Sequence, residues 1–259
     1  MKFSLLIPTR DRHKKLHTLL ESIYKTTTHK KNLEILFVCD NDDKASQTQV
    51  NSLISQYGRS MDMHLHTRER SEMLNEDYYN FLARKATGDM IWVLADDLIL
   101  TAYGWDVIVA REVESFMLKH PDKIFCCSIM DNTPPPSHKI PKFPCFPMFT
   151  QEAKKALGNW ILHPKTPTWG ADYITYCIFK PMDRLLEFKD RNYLNHVCFH
   201  NKQEQPDAVN VRIGAIFNKL KMIPHHNTDR ILGEEVPKIR LDLLQIIKDF
   251  NSCSQEETK

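Results

Sequence analysis

The sequence predicts an α/β fold: a mostly parallel sheet flanked by helices. Two observations predict it. From Phe3 to Leu94, apolar runs of strand length alternate with segments of helical apolar spacing, in the order strand, helix, strand, helix, strand, helix, strand. Such alternation builds parallel strands joined by right-handed crossovers. The runs Leu33–Cys39 and Met90–Leu94 also lack a polar face, as strands covered on both sides do. With 259 residues and 42% apolar composition, the chain can fill the core of one large domain.

Phe3 to Ile7 reads as the first strand, closed by Pro8-Thr9. A helix follows from about Arg12 to Lys25, with Leu16, Leu19, Leu20, Ile23 and Tyr24 on one face. Leu33 to Cys39 is the second strand and runs into Asp40-Asn41-Asp42-Asp43. Val50, Leu53, Ile54 and Tyr57 place a helix directly after it, so Asp42 and Asp43 read as helix caps. Asp40 reads equally as a cap or as an acceptor for a ribose or a base. Met61 to His66 alternates apolar and polar residues as a third strand. Arg68 to Glu72 is a charged loop, and a helix from about Met73 to Ala86 carries Tyr78, Tyr79 and Leu82.

Gly88 breaks that helix and opens the strand that delivers Asp96 and Asp97. Neither aspartate has a Lys or Arg beside it in sequence, and adjacent carboxylates repel. A hard divalent cation such as Mg²⁺ or Mn²⁺ relieves that repulsion. A turn that spends both as helix caps is the alternative. Parallel order puts both acidic strand ends at one edge of the sheet, where open α/β sheets bind their ligands.

Leu98 onward leads into a helix from about Trp105 to His120, and Lys123 to Met130 is another apolar strand. Between 133 and 147 stand Pro134, Pro135, Pro136, Pro141, Pro144 and Pro147, which exclude helix or central strand. The segment reads as a stiff connector or flap anchored by Phe143, Phe146 and Phe149. Thr150 caps a short helix to Leu157, which Gly158-Asn159 ends. Trp169-Gly170-Ala171-Asp172-Tyr173 opens an apolar stretch to Phe179, with Asp172 as its cap on a structural reading. Polar and imidazole groups, His196 and His200 among them, fill Asn192 to Asp207. Ile213 to Ile223 is helix or strand, and His225-His226 follow Pro224 in a loop. Val236 to Phe250 is a terminal helix on Ile239, Leu243, Ile246 and Ile247, and a disordered tail starts at Ser252.

Composition excludes several classes. A net charge of +2 gives no electrostatic footprint for nucleic acid. No apolar run reaches the length of a transmembrane segment, and the amino-terminal run is too short for a secretory signal. A cytoplasmic location is the expectation, with peripheral membrane docking left open. Seven cysteines, several inside apolar runs, fit buried thiols in a reducing compartment. Only 7 glycines occur, so no glycine-rich phosphate loop is present.

In four segments the chain resembles the family 2 glycosyltransferases, which have the GT-A fold. They are Ser4 to Arg10, Glu34 to Asp40, Asn80 to Asp97, and Phe149 to Asp172. The most specific is the third, where Asn80 precedes Gly88-Asp89 and the acidic pair follows one strand later. The resemblance implies metal-dependent, inverting transfer of a sugar from a nucleoside diphosphate, with UDP as the carrier, to a hydroxyl of a glycan, lipid-linked or protein acceptor. It makes residues 1–130 the nucleotide-sugar-binding half, 131–251 the acceptor-binding and catalytic-base half, and 252–259 the tail.

The resemblance also implies roles. Thr9, Asp40, Arg70, Asn80 and Asp96 would serve the donor, with Asp40 on the base and Arg70 on base or phosphates. Asp97 would ligate Mn²⁺ or Mg²⁺, and His200 would complete the metal shell, with His196, His225 and His226 as rivals. Asp172 would be the catalytic base. Two departures stand out. Ala95 occupies the first position of the usual Asp-x-Asp, and Ala171 replaces the Glu of a Gly-Glu-Asp-like segment. They leave open a catalytically degraded nucleotide-sugar or glycan-binding module. A sugar nucleotidyltransferase is a further alternative, disfavoured because Pro8-Thr9-Arg10-Asp11-Arg12 contains no glycine.

Overall fold

The computed structural model describes residues 1–129, 131, 145–168, 170–188, 193–196 and 230–256. Trp169, His200, His225, His226, the segment 213–223 and most of the proline-rich segment lie outside them.

Seven strands make the main sheet: β1 (Phe3–Pro8), β2 (Leu33–Asp40), β3 (Asp62–Arg68), β4 (Met90–Val93), β6 (Cys126–Ile129), β7 (Met148–Thr150) and β8 (Leu185–Phe188). Their order across the sheet is β3-β2-β1-β4-β7-β6-β8. Every pairing is parallel except those of β7, which runs antiparallel between β4 and β6. A separate two-stranded ribbon pairs β5 (Leu98–Leu100) with β9 (Leu194–His196), setting Leu98 opposite His196. The helices are α1 (His13–Thr26), α2 (Lys44–Tyr57), α3 (Phe81–Lys85), α4 (Trp105–Lys119), α5 (Gln151–Ala156), α6 (Ala171–Phe179) and α7 (Val236–Glu256).

Alternate residues of a strand point to opposite faces, and both faces are covered. Leu5, Ile7, Ile35 and Phe37 pack with Leu16, Leu19 and Leu20 of α1, Leu53 of α2 and Trp105 of α4. Leu6, Leu36, Ile91 and Val93 pack with Leu82 of α3, Ala153 of α5, Ile178 of α6 and Leu243 of α7. No helix among the described residues is long and apolar enough to cross a membrane. The described cysteines, Cys39, Cys126 and Cys127 among them, are free thiols.

The amino-terminal edge of the sheet is pinned by a buried carboxylate. Glu34 accepts from Ser4 Oγ, from Thr87 N (2.9 Å) and from Thr87 Oγ1 (2.6 Å), with Lys2 Nζ at 3.5 Å. Gly88 N donates to the same Ser4 Oγ at 2.8 Å. A Cβ on Gly88 would stand 2.7 Å from Ser4 N. Gly88 is therefore needed for the close approach of two strands, not as a helix end: α3 stops at Lys85 and is capped by Ala86.

Several elements differ from expectation. The helix expected from Met73 begins as a wide π-type turn, Leu74–Asn80, before α3. That turn buries Tyr78, Tyr79 and Asn80 consecutively, which one face of a regular helix cannot do. Phe149, expected as a flap anchor, sits in the central strand β7. Three residues are too few to show a strand period in sequence. Leu98–Leu100 forms a strand before α4, and α7 continues to Glu256, past the expected start of the tail at Ser252.

Candidate active site

The carboxyl ends of the parallel strands share one edge. There β1 delivers Thr9 to Arg12, β2 delivers Asp40, β4 delivers Ala95 to Asp97, and β6 delivers Asp131. Asp40, Asp96, Asp97 and Asp131 are all buried. Buried carboxylates need partners, and the loop after β1 supplies them to Asp40, Asp96 and Asp97.

Arg10 Nη1 donates to Asp40 Oδ2 at 2.7 Å, and the guanidinium also forks onto Asp42 (2.7 and 3.1 Å). Tyr78 Oη donates to the other Asp40 oxygen. Burial, then that bond to Asp40, pushes the Tyr78 hydroxyl up to about 12, so it stays a donor. Asp43 caps α2 through Ser46 N (3.0 Å), as its position suggests. Asp42 instead pairs with Arg10.

Asp96 Oδ2 accepts from Thr9 Oγ1 at 2.8 Å. Arg12 Nη1 donates both to Asp96 Oδ1 (2.9 Å) and to Asp97 Oδ2 (3.1 Å). No basic residue stands beside the pair in sequence; the cation that joins it is distant in sequence and adjacent in space. Burial raises the Asp96 carboxyl above its ordinary range; Arg12 opposes that and Asp97 reinforces it.

Thr9, Asp40, Arg70 and Asp96 line a single cleft of about 200 Å³ together with Arg10, Arg12 and Tyr78. Arg70 sits exposed at its rim. Thr168 closes another side, at the end of a segment held from below by two buried asparagines. Asn75 Nδ2 donates to Thr166 O (2.8 Å) and Thr168 O (2.9 Å). Asn80 Oδ1 accepts from Ile161 N (2.9 Å) and Leu162 N (3.1 Å), and its Nδ2 donates to Leu162 O (2.8 Å).

A sequence profile described as glycosyl transferase family 2 matches residues 4–169, more than half of the chain. The chain belongs to the glycosyl transferase family 2. Solved structures share its fold at low identity. TarS of S. aureus in complex with UDP is 14% identical with a TM-score of 0.56, over 88% of this chain and 74% of that one. The mannosyltransferase PcManGT from Pyrobaculum calidifontis, in complex with GDP-Man and Mn²⁺, is 15% identical with a TM-score of 0.60, over 94% and 73%. GalNAc-T7 with UDP, GalNAc and Mn²⁺ is 16% identical with a TM-score of 0.54, over 76% and 44%. The chain spans 45% of a longer TarS structure. No curated protein sequence matches it. The fold is GT-A.

This glycosyltransferase keeps Asn80 out of the cleft. Its amide is fully buried and occupied by backbone groups of 161 and 162, which corrects the expectation of a donor contact. Asn80→Ala strips partners from three buried backbone groups. At about 1 kcal/mol or more for each, the loss is roughly 3 kcal/mol, or on the order of 5–10 °C in melting temperature. Thermal denaturation checks this, and a shift of a degree or less would contradict the bracing role.

Asp172 lies at the second position of α6, after Gly170 in the left-handed region at φ 89°. Its Oδ1 accepts from Tyr173 N (2.9 Å), and Gly170, not Asp172, is the N-cap. Burial pushes the Asp172 carboxyl up to about 6, with the charge of Asp131 adding to it. Asp131 lies two residues past β6, two strand spacings from β4, so this second acidic point lies about 10 Å along the same edge. Asp131, Arg10, Arg12 and Tyr78 were not named as site residues from sequence, because nothing in their spacing ties them to the acidic strand ends.

Asp96 and Asp97 suit a hard divalent ion: two buried carboxylates present one oxygen each to a common point. Among the described residues, no group of three or more His, Cys, Asp or Glu is placed to hold a metal. Of the histidine rivals, His196 alone falls within the described residues, and its backbone pairs opposite the residue after Asp97.

Proposed function

We propose that this enzyme is a metal-dependent, inverting glycosyltransferase that moves a sugar from a nucleoside diphosphate, UDP in the first instance, to an acceptor hydroxyl. The observation that carries the reading is the convergence of Asp40 and Asp96, from two parallel strand ends, on a cleft rimmed by Arg70, with Asp97 joined to Asp96 behind it through Arg12. Solved relatives of the same fold bind UDP, GDP-Man and Mn²⁺, which supports it.

Thr9 and Asp40 hold the nucleoside, and Asp40 presents a carboxylate already oriented by Tyr78 and Arg10. Arg70 and Arg12 face the diphosphate with positive charge. Asp97, with Asp96 beside it, would hold Mn²⁺ or Mg²⁺, which stabilises the negative charge of the leaving diphosphate. Asp172 takes the proton of the acceptor hydroxyl as its oxygen attacks the anomeric carbon. Attack from the face opposite the leaving group inverts the anomeric configuration. The acceptor is a glycan, a lipid-linked sugar or a protein.

A thermal-shift panel of nucleoside diphosphates and nucleotide sugars, with and without Mn²⁺, tests the reading, because a ligand of the folded state raises the melting temperature. The expected result is a shift with UDP or a UDP-sugar that needs Mn²⁺. A folded sample that responds to no nucleotide under either condition would overturn it.

A further inference from the structure

The point between Asp96 and Asp97 is held by a guanidinium. Arg12 reaches both carboxylates through the same nitrogen, Nη1, at 2.9 and 3.1 Å. A divalent ion shared by these two oxygens would compete with this nitrogen for them.

The geometry points to Arg12 as an exchangeable counter-ion: it neutralises the acidic pair until a divalent metal takes its place, and it then turns its charge into the donor cleft. This rests on the reading of Asp96-Asp97 as the metal-binding pair. Four observations favour exchange over a fixed salt bridge. The contact to both carboxylates is end-on through one nitrogen, whereas Arg10 grips Asp42 with a two-nitrogen fork, the stronger arrangement. The Arg12 side chain is 27% exposed and lines the cleft, while the carboxylates are 5% and 3% exposed, so the arginine has a way out and the acids do not. Arg12 brings a single positive charge to the two carboxylates, and a divalent ion would bring two. The backbone before Arg12 is fixed, since Asp11 N donates to Asp43 Oδ2 (3.1 Å) and Ser46 Oγ (3.0 Å), so the exchange needs side-chain rotation only.

The test is calorimetric titration of Mn²⁺ alone into wild type, Arg12→Gln and Arg12→Lys. Removing the competing charge should tighten Mn²⁺ binding by Arg12→Gln on the order of tenfold, the effect of one nearby like charge. Arg12→Lys, which keeps the charge on a shorter stem, should fall between. Arg12→Gln also leaves two buried carboxylates uncompensated, so Mn²⁺ should raise its melting temperature more than that of wild type. Should Arg12→Gln fold only with Mn²⁺ present, that dependence is itself the expected result, and Arg12→Lys carries the affinity comparison. Equal Mn²⁺ affinity in all three proteins would overturn the exchange and leave the metal site standing. No Mn²⁺ binding by any of them would overturn both.

Discussion

Asp172→Asn should lower kcat by about three orders of magnitude, within the range of a lost general base, and leave donor affinity nearly unchanged. The substitution removes the proton acceptor but keeps the size and the bond from Tyr173 N. It leaves Asp40, Asp96 and Asp97 in place. The pH profile gives an independent check. A carboxyl pushed up to about 6 is ionised at neutral pH and takes a proton as the pH falls through that value. In wild type kcat/KM should therefore decline below about 6. The residual activity of Asp172→Asn should lack that limb. Donor binding measured by calorimetry separates the two roles: if it falls as far as kcat does, Asp172 belongs to the donor site and is not the base.

Asp97→Ala should fail differently. Loss of a metal ligand costs several kcal/mol of leaving-group stabilisation, or roughly a hundredfold or more in kcat/KM. The loss should appear first as a far higher Mn²⁺ requirement. Activity titrated against Mn²⁺ reads it directly, and an unchanged titration curve would count against the assignment. The variant retains Asp96, to which Thr9 and Arg12 still donate, so its fold should survive and a melting curve can serve as control.

Much of the frame was legible because it rests on periodicity and on strand ends. The apolar runs at Leu33–Cys39 and Met90–Leu94 made parallel order the economical arrangement, and that order alone carried Asp40 and Asp96 to one edge. What escaped was long-range pairing. Nothing local ties Arg12 to Asp97, since they meet only after β1 and β4 have paired. Asn80 was noticed for its spacing from Gly88, but its work is to hold the backbone at 161 and 162, a contact no spacing encodes. Asp131 went unremarked for a similar reason. It follows an apolar strand, as Asp96 does, but gains meaning only through the charge it places near Asp172.

Glu34 and Asp172 respond to acid in opposite senses. Burial alone would raise the Glu34 carboxyl, but hydrogen bonds from Ser4 and Thr87 and the charge of Lys2 hold it below its ordinary range. Its stabilising contribution is complete above the unfolded value and is lost only as the pH falls through the depressed folded one. Asp172 is raised, so between its ordinary range and about 6 the folded protein binds the extra proton, and acidification there favours the fold while neutralising the proposed base. The amino-terminal clasp thus outlasts the chemistry at the opposite strand ends. On the proposed assignment of Asp172, mild acid would suspend transfer while the Glu34 clasp stays intact, and neutralisation would restore it.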